Sequence, residues 1–213
     1  MVEDVKRRYD NSRRQALVRA TRLKVIEAAT ELFVELGYPA TTIDAVADAA
    51  DTPAPTLYRL FGSKRGLLAA VLDTAFGGDD EPIPFVDRPA VRAALAEPDP
   101  TVMLTLFARI VREFMERSSA IQHVLATAAY VDTEAAEMLV DIRRQRLTGQ
   151  TRIVAALEAR GALDPDVSPS EAADIVYMLL SPDVHRILTI ERGWDGDRYE
   201  QWIGRCLRTL LRT

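Results

Sequence analysis

The chain has 213 residues, a formal net charge of −5, 48% hydrophobic residues and only 7% aromatic ones. That length suits one large domain, or a small domain joined to a medium one, and the apolar content supports an ordinary core. Few aromatics beside abundant Ala, Leu and Arg favour helix over strand. The one cysteine, Cys206, excludes an internal disulfide. No signal-like segment follows the basic start, and no apolar run approaches the ~20 residues of a membrane span. The expectation is a cytoplasmic protein without membrane association.

Charge is unevenly placed. Residues 6–24 hold Lys6, Arg7, Arg8, Arg13, Arg14, Arg19, Arg22 and Lys24 against the single acid Asp10, a local +7 that leaves −12 for the rest. Such a stretch is either a patch for a polyanion or a solvated, charged terminus. Within segment 16–36, Ile26, Ala29, Phe33 and Leu36 recur with helical spacing, and Gly37 supplies a stop. Thr42 caps a short helix, IDAVADAA, whose inner face is Ile43, Val46, Ala47 and Ala50. After the Asp51-Thr52 turn, Thr52 reads as the cap of a helix opening at Pro53 and running to Leu60, with Phe61-Gly62 as its end. Ser63 caps a fourth helix to about Phe76.

Glycine, proline and acids, including Asp79-Asp80-Glu81, cluster over 77–98, with a short helix expected near 89–96. We place the domain boundary there, giving 1–78 and 79–213. Beyond it, Asp99-Pro100 opens a helix to about Arg117, Ser118 opens another to about Tyr130, and Thr133 opens a long one to about Arg160, ended by Gly161. Ser168-Pro169-Ser170-Glu171 has the form of a capping box, Ser181-Pro182 restarts or kinks the next helix, and the last helix spans about Arg198 to Leu211. No segment alternates with period two, so the fold class is all-α.

Two short helices joined by a tight turn, behind a longer basic helix, form a helix-turn-helix. Its second helix enters the major groove with its N-terminal residues facing base edges, while flanking groups grip phosphates. Here that helix begins Pro53-Ala54-Pro55-Thr56. Its small first turn lets the backbone approach, Ala54 and Pro55 can touch thymine methyls, and Thr56 can hydrogen-bond a base. Tyr58 has the reach for a phosphate. Lys64, at the start of the fourth helix, and Thr42, at the start of the second, are further phosphate candidates, and we add Thr41 beside it. Arg13 and Arg14 supply non-specific attraction.

The pieces AATELFVELGY (28–38), TTIDAVADAA (41–50), PTLYRLF (55–61) and SKRGLLAAVL (63–72) together resemble the DNA-binding domain of the TetR family of repressors, over about a quarter of the chain. The resemblance implies a helix-turn-helix DNA-binding domain followed by an all-helical effector-binding and dimerisation domain, a homodimer, and release from operator DNA when a small molecule binds. Thr42, Thr56, Tyr58 and Lys64 match the family's DNA-contacting positions. Asp51 stands where the turn usually has glycine, Pro53 where a capping serine is usual, and Pro55 where glycine is frequent before the threonine. Operator preference cannot be transferred by analogy across those changes.

The C-terminal half carries wide apolar stripes: Ile175, Val176, Leu179 and Ile187 on one segment, and Trp202, Ile203, Cys206, Leu207 and Leu210 on the last helix. Stripes broader than a helix needs to bury against its own core suggest a second burial surface. In the family these helices form the dimer interface; the alternative is a larger intramolecular core. An effector pocket is expected among the middle helices, with Met103, Phe107, Phe114, Met115, His123, Tyr130, Met138 and Tyr177 as candidate lining and a hydrophobic or aromatic effector. An enzyme is the rival class. The two histidines, His123 and His185, lie far apart, and HExxH, GxSxG, GxGxxG and P-loop patterns are missing, so neither catalytic residues, nor a metal, nor a cofactor is expected. An activator of the same fold, or a ligand-binding module that has lost DNA binding, are the remaining alternatives.

Overall fold

Local capping chemistry sets most of the helix starts in the computed structural model, which describes residues 2–79, 81 and 83–211, with side chains from residue 13 onward. The described residues form ten α-helices and no strand: α1 Val2–Ala40, α2 Ile43–Ala49, α3 Ala54–Phe61, α4 Lys64–Gly77, α5 Pro89–Ala96, α6 Pro100–Ala128, α7 Thr133–Glu158, α8 Pro169–Leu179, α9 Pro182–Arg186 and α10 Gly196–Arg208. A 3₁₀ turn at Phe85–Asp87 precedes α5, and a π-turn at Ile187–Glu191 extends α9. Thr42, Asp99, Asp132, Ser168, Ser181 and Asp195 each accept a backbone N–H of the first turn that follows them, satisfying donors that a helix start otherwise leaves orphaned. For α7 the cap is therefore Asp132, one residue before the expected opening.

The chain divides into two compact units, Met1–Thr74 and Ala75–Thr213. In the first, α1 keeps helical geometry up to Gly37, whose φ of 78° and ψ of 164° break it. Val25, Ile26, Ala29 and Phe33 are buried with Ile43, Val46, Ala47 and Leu57, while Leu36, which shares the helical spacing, is exposed. The side chains of Lys6, Arg7, Arg8 and Asp10 lie outside the described residues, as does Asp80.

The second unit is organised on α6, which packs against α5, α7, α9 and α10. Met103, Leu104, Phe107, Ala108 and Val111 from α6 meet Ile153 and Leu157 from α7 and Tyr199, Ile203 and Leu207 from α10 in one core. The expected helix start at Ser118 is not there. Instead α6 continues unbroken, because the Ser118 hydroxyl donates backward to Phe114 O (2.7 Å) rather than capping forward. Arg160 closes the end of α5: its guanidinium donates to Leu95 O at 2.8 Å and Glu97 O at 2.7 Å, carbonyls that have no partner within the helix.

Candidate functional site

The turn between α2 and α3 is a Schellman closure. Thr52 N–H donates to Ala47 O (2.9 Å) and Asp51 N–H to Asp48 O (3.1 Å), which places Asp51 at φ 42°. Glycine adopts that conformation without penalty; aspartate is among the few other residues that tolerate it. An exposed ion pair from Asp51 to Lys24 (3.6 Å) also holds the Asp51 carboxylate. Thr52 is not the cap of α3. It is buried and donates its hydroxyl to Ala50 O (3.0 Å), while Pro53 occupies the cap position with no side-chain hydrogen bond. The first turn of α3 is thus bare of capping side chains, and Pro55 is exposed with Ala54 and Thr56 partly so.

Tyr58 stands 54% exposed on α3, well clear of a core residue's burial. Thr42 is exposed and its Oγ1 accepts from Ala45 N–H (3.0 Å), which leaves the hydroxyl hydrogen to donate outward. Lys64 donates to Pro39 O (3.3 Å), and its ammonium lies 4.4 Å from the Tyr38 ring centroid, so it is held at the corner where α1 gives way to α2. Ser63 Oγ accepts Gly66 N–H (3.1 Å) at the start of α4. A Cβ at residue 66 would collide with Phe61 O, so the tight passage from α3 to α4 requires glycine there. Arg13 and Arg14 are exposed on α1. Thr41 is a correction. It is 1% exposed and its hydroxyl is spent on Leu32 O (3.0 Å) and Gly37 O (2.9 Å), where it closes the end of α1 instead of facing a ligand.

In the second unit a cavity of about 520 Å³ opens among the 3₁₀ turn, α5, α6 and α7. Of the predicted lining, Phe107, Phe114 and Met115 are there. Met103 is 0% exposed and belongs to the core. His123 and Tyr177 line an adjoining groove of about 480 Å³, which shares Gln122, Ile142 and Arg146 with the cavity. Met138 lines neither, and Tyr130 is 89% exposed in the turn after α6, so neither it nor Met103 is a lining residue. Residues that the sequence reading missed complete the cavity. Phe76 stacks against Phe114 and Phe85 is tilted against it, with ring centroids 5.5 and 4.6 Å away, and Gln122, Arg146 and Gln150 supply polar groups. Phe76 immediately precedes the stretch read as the domain boundary and Phe85 lies within it, and those two aromatics were the available signal.

The stripes of the last helices are divided by burial. Val176, Leu179, Ile203, Leu207 and Leu210 are all at most 7% exposed within the protomer and form part of its core. They have no surface left to offer a partner, which corrects their assignment to a dimer interface: α10 spends that face on α6, where Gly204 approaches Ala108. Ile175, Trp202 and Cys206 are half-buried, and Ile187 is 43% exposed. Burial pushes the Cys206 thiol pKa up, which makes it a poor nucleophile. No cluster of three or more His, Cys, Asp or Glu side chains able to hold a metal occurs among the described residues, and no helix there is long and apolar enough to cross a membrane.

Residues 25–71 match the model of the bacterial regulatory proteins of the tetR family. Over 117 residues the chain is 31% identical to the HTH-type transcriptional repressor KstR of Mycobacterium tuberculosis, covering 55% of this chain and 50% of that one. Over 75 residues it is 37% identical to the HTH-type transcriptional repressor ComR of Escherichia coli, covering 34% and 36% of the two chains. The matches thus span half or less of these relatives' length. The fold extends further: the SmeT–triclosan complex superposes with a TM-score of 0.71 at 18% identity, over 92% of this chain and 93% of that one.

Proposed function

We propose that this chain, whose residues 25–71 match the tetR-family model, is a transcriptional repressor of that family that binds operator DNA as a homodimer and leaves it when a small apolar molecule enters the second unit. The observation that carries this reading is the arrangement around α3. Its first turn, Ala54 to Thr56, has solvent-accessible surface, and Tyr58, Thr42 and Lys64 offer a phenol, a hydroxyl and an ammonium around it. That combination, a small-residue helix start flanked by phosphate donors, is what base readout in a major groove needs. The Asp51 carboxylate is drawn toward Lys24, which lowers the electrostatic cost of an acid in the turn.

The mostly apolar cavity of about 520 Å³ supports the effector part of the reading, since its size lies in the range of small-molecule sites. SmeT, which shares the fold at 18% identity, was solved as a complex with triclosan. Ile187, Trp202 and Cys206, with the exposed Met178 and Ile190, supply apolar surface for a second copy. The test is a gel shift and footprint with the DNA upstream of the protein's own gene. A dimer predicts a protected pseudo-palindrome with half-sites about 34–36 Å apart, or a multiple of that. Failure to shift any genomic fragment at low salt would sink the regulator reading, and a single unpaired half-site would sink the dimer.

A further inference from the structure

We infer that the molecule taken up by the second unit is amphipathic: an apolar body in the cavity, ending in one carboxylate that Arg143 and Arg146 hold in the adjoining groove. This rests on the reading of the cavity as an effector site. The two spaces meet at Gln122, Ile142 and Arg146, so a ligand that fills the cavity can continue into the groove. Their walls differ. From α5, α6 and the 3₁₀ turn the cavity receives apolar side chains, among them Phe85, Val91, Phe107 and Phe114, whereas the groove carries Arg143, Arg146, His123 and Ser181. From Arg143 to Arg152, α7 holds four arginines and no acid, although the second unit as a whole has more acids than bases.

Two of those arginines are committed: Arg144 pairs with Asp141 (3.2 Å) and Arg152 with Asp87 (3.8 Å). Arg143 and Arg146 have no ion pair among the described residues. Arg143 is exposed. Arg146 is half-buried, with its guanidinium 3.8 Å from the Tyr177 ring centroid. Such a stack uses the face of the guanidinium and leaves its in-plane N–H groups to bond an anion. Its Nε is buried, but the terminal Nη1 and Nη2 keep accessible surface and have no hydrogen bond. Residues three apart on a helix have Cβ atoms about 5–6 Å apart, so both long side chains reach one anion, which also relieves the repulsion between them. Asp183 is the acid that lines the groove among the described residues; it is exposed and forms no ion pair with either arginine. Two arginines against one aspartate leave a single positive charge, whose complement is a monoanion. A cationic ligand meets repulsion. Past Arg146 the α7 lining of the cavity runs on to Ile153, about 10 Å of helix, which sets the length of the apolar body. The competing arrangement has both arginines turned to water, in which case charge on the ligand makes no difference.

Calorimetric titration of the full-length protein at about pH 8 with biphenyl-4-carboxylate, biphenyl-4-carboxamide and biphenyl-4-phosphonate decides between them; the first is then a monoanion, the second neutral and the third a dianion. The carboxylate is expected to bind at least about tenfold tighter than the carboxamide, because hydrogen bonds between ionised partners are the stronger ones. That preference should shrink as salt is raised, since the groove is open to solvent. Arg143→Gln and Arg146→Gln should each weaken the carboxylate while the carboxamide binds as before, which shows that the cavity still folds, and Arg143→Lys should retain most of the preference. Equal affinity for carboxylate and carboxamide overturns the anion site and leaves the cavity reading standing. A preference that survives the double variant Arg143→Gln/Arg146→Gln, or tightest binding of the phosphonate, overturns the assignment as well. No binding of any of the three overturns it together with the cavity reading. DNA release is read separately. A carboxylate that binds with an Arg143-dependent preference yet leaves the DNA complex intact supports the anion site and refutes the release step proposed above.

Discussion

Leu207→Ala separates an intramolecular core from a subunit interface. Leu207 is 0% exposed in the protomer, on the face of α10 that packs against α6. Truncating a fully buried leucine costs about 2–5 kcal/mol, from lost transfer energy and the cavity left behind. For a unit the size of Ala75–Thr213, entropy of unfolding near 2 cal/mol/K per residue converts each kcal/mol to roughly 3 °C, so the expected fall in Tm is roughly 6–15 °C. The fall should be the same at every protein concentration, because no association is lost. Ile187→Glu, at a residue 43% exposed, should do the opposite: leave the protomer's core intact and make both sedimentation and Tm depend on dilution. Calorimetric or circular-dichroism melting at two concentrations a hundredfold apart, with sedimentation velocity alongside, reads both effects. If Leu207→Ala melts like the parent at high concentration and merely dissociates on dilution, the placement of Leu207 in the core is wrong.

Replacing Lys64 by glutamine should weaken binding to all DNA sequences alike and flatten the salt dependence by about one unit per half-site in a log–log plot; an unchanged slope removes Lys64 from the phosphate contacts. Asp51→Gly should stabilise the first unit by about 1 kcal/mol, since glycine carries no penalty at φ 42° and the lost ion pair with Lys24 is exposed; a lower unfolding midpoint in urea contradicts this. His185 is buried against Tyr199, with ring centroids 4.8 Å apart, and burial lowers its pKa below the ordinary 6.5 although Glu116 pulls the other way. The unfolded chain therefore binds the proton first as pH falls, so His185 costs nothing well above pH 6.5, and its cost builds as pH falls from about 6.5 to the lower folded value and persists below it. His185→Phe should flatten the stability–pH curve in that window, and an unchanged curve would show that another group titrates there.

What could be read from the sequence follows the range of the interactions involved. Ser63, Ser168 and the Asp99-Pro100 start act on the next three residues, and they open helices where expected. The helix-turn-helix was legible for the same reason, since its apolar spacing and turn are local. Ser118 was misread because a serine's hydroxyl can reach backward as well as forward, and only the packing of α6 selects the direction. The turn at 50–53 was placed correctly but its chemistry was not: Thr52 and Asp51 are both compatible with a cap, and the Schellman hydrogen bonds to Ala47 and Asp48 decide which residue faces inward. At the candidate site, the exposed polar residues proposed to face DNA lie in first turns that the sequence marks, whereas Thr41 shares its neighbour's chemistry and differs only in being turned toward Leu32 O. The apolar stripes of the last helices could not be resolved at all. A leucine facing α6 and a leucine facing a second subunit leave the same trace in sequence, and they part only when the protomer's own core is filled and Leu207 is found inside it while Ile187 is not. The cavity's polar edge was hidden likewise. Gln150 stands in the polar run RLTGQTR, where a glutamine has no mark of burial until α5, α6 and α7 close around it and leave its amide oxygen without a partner.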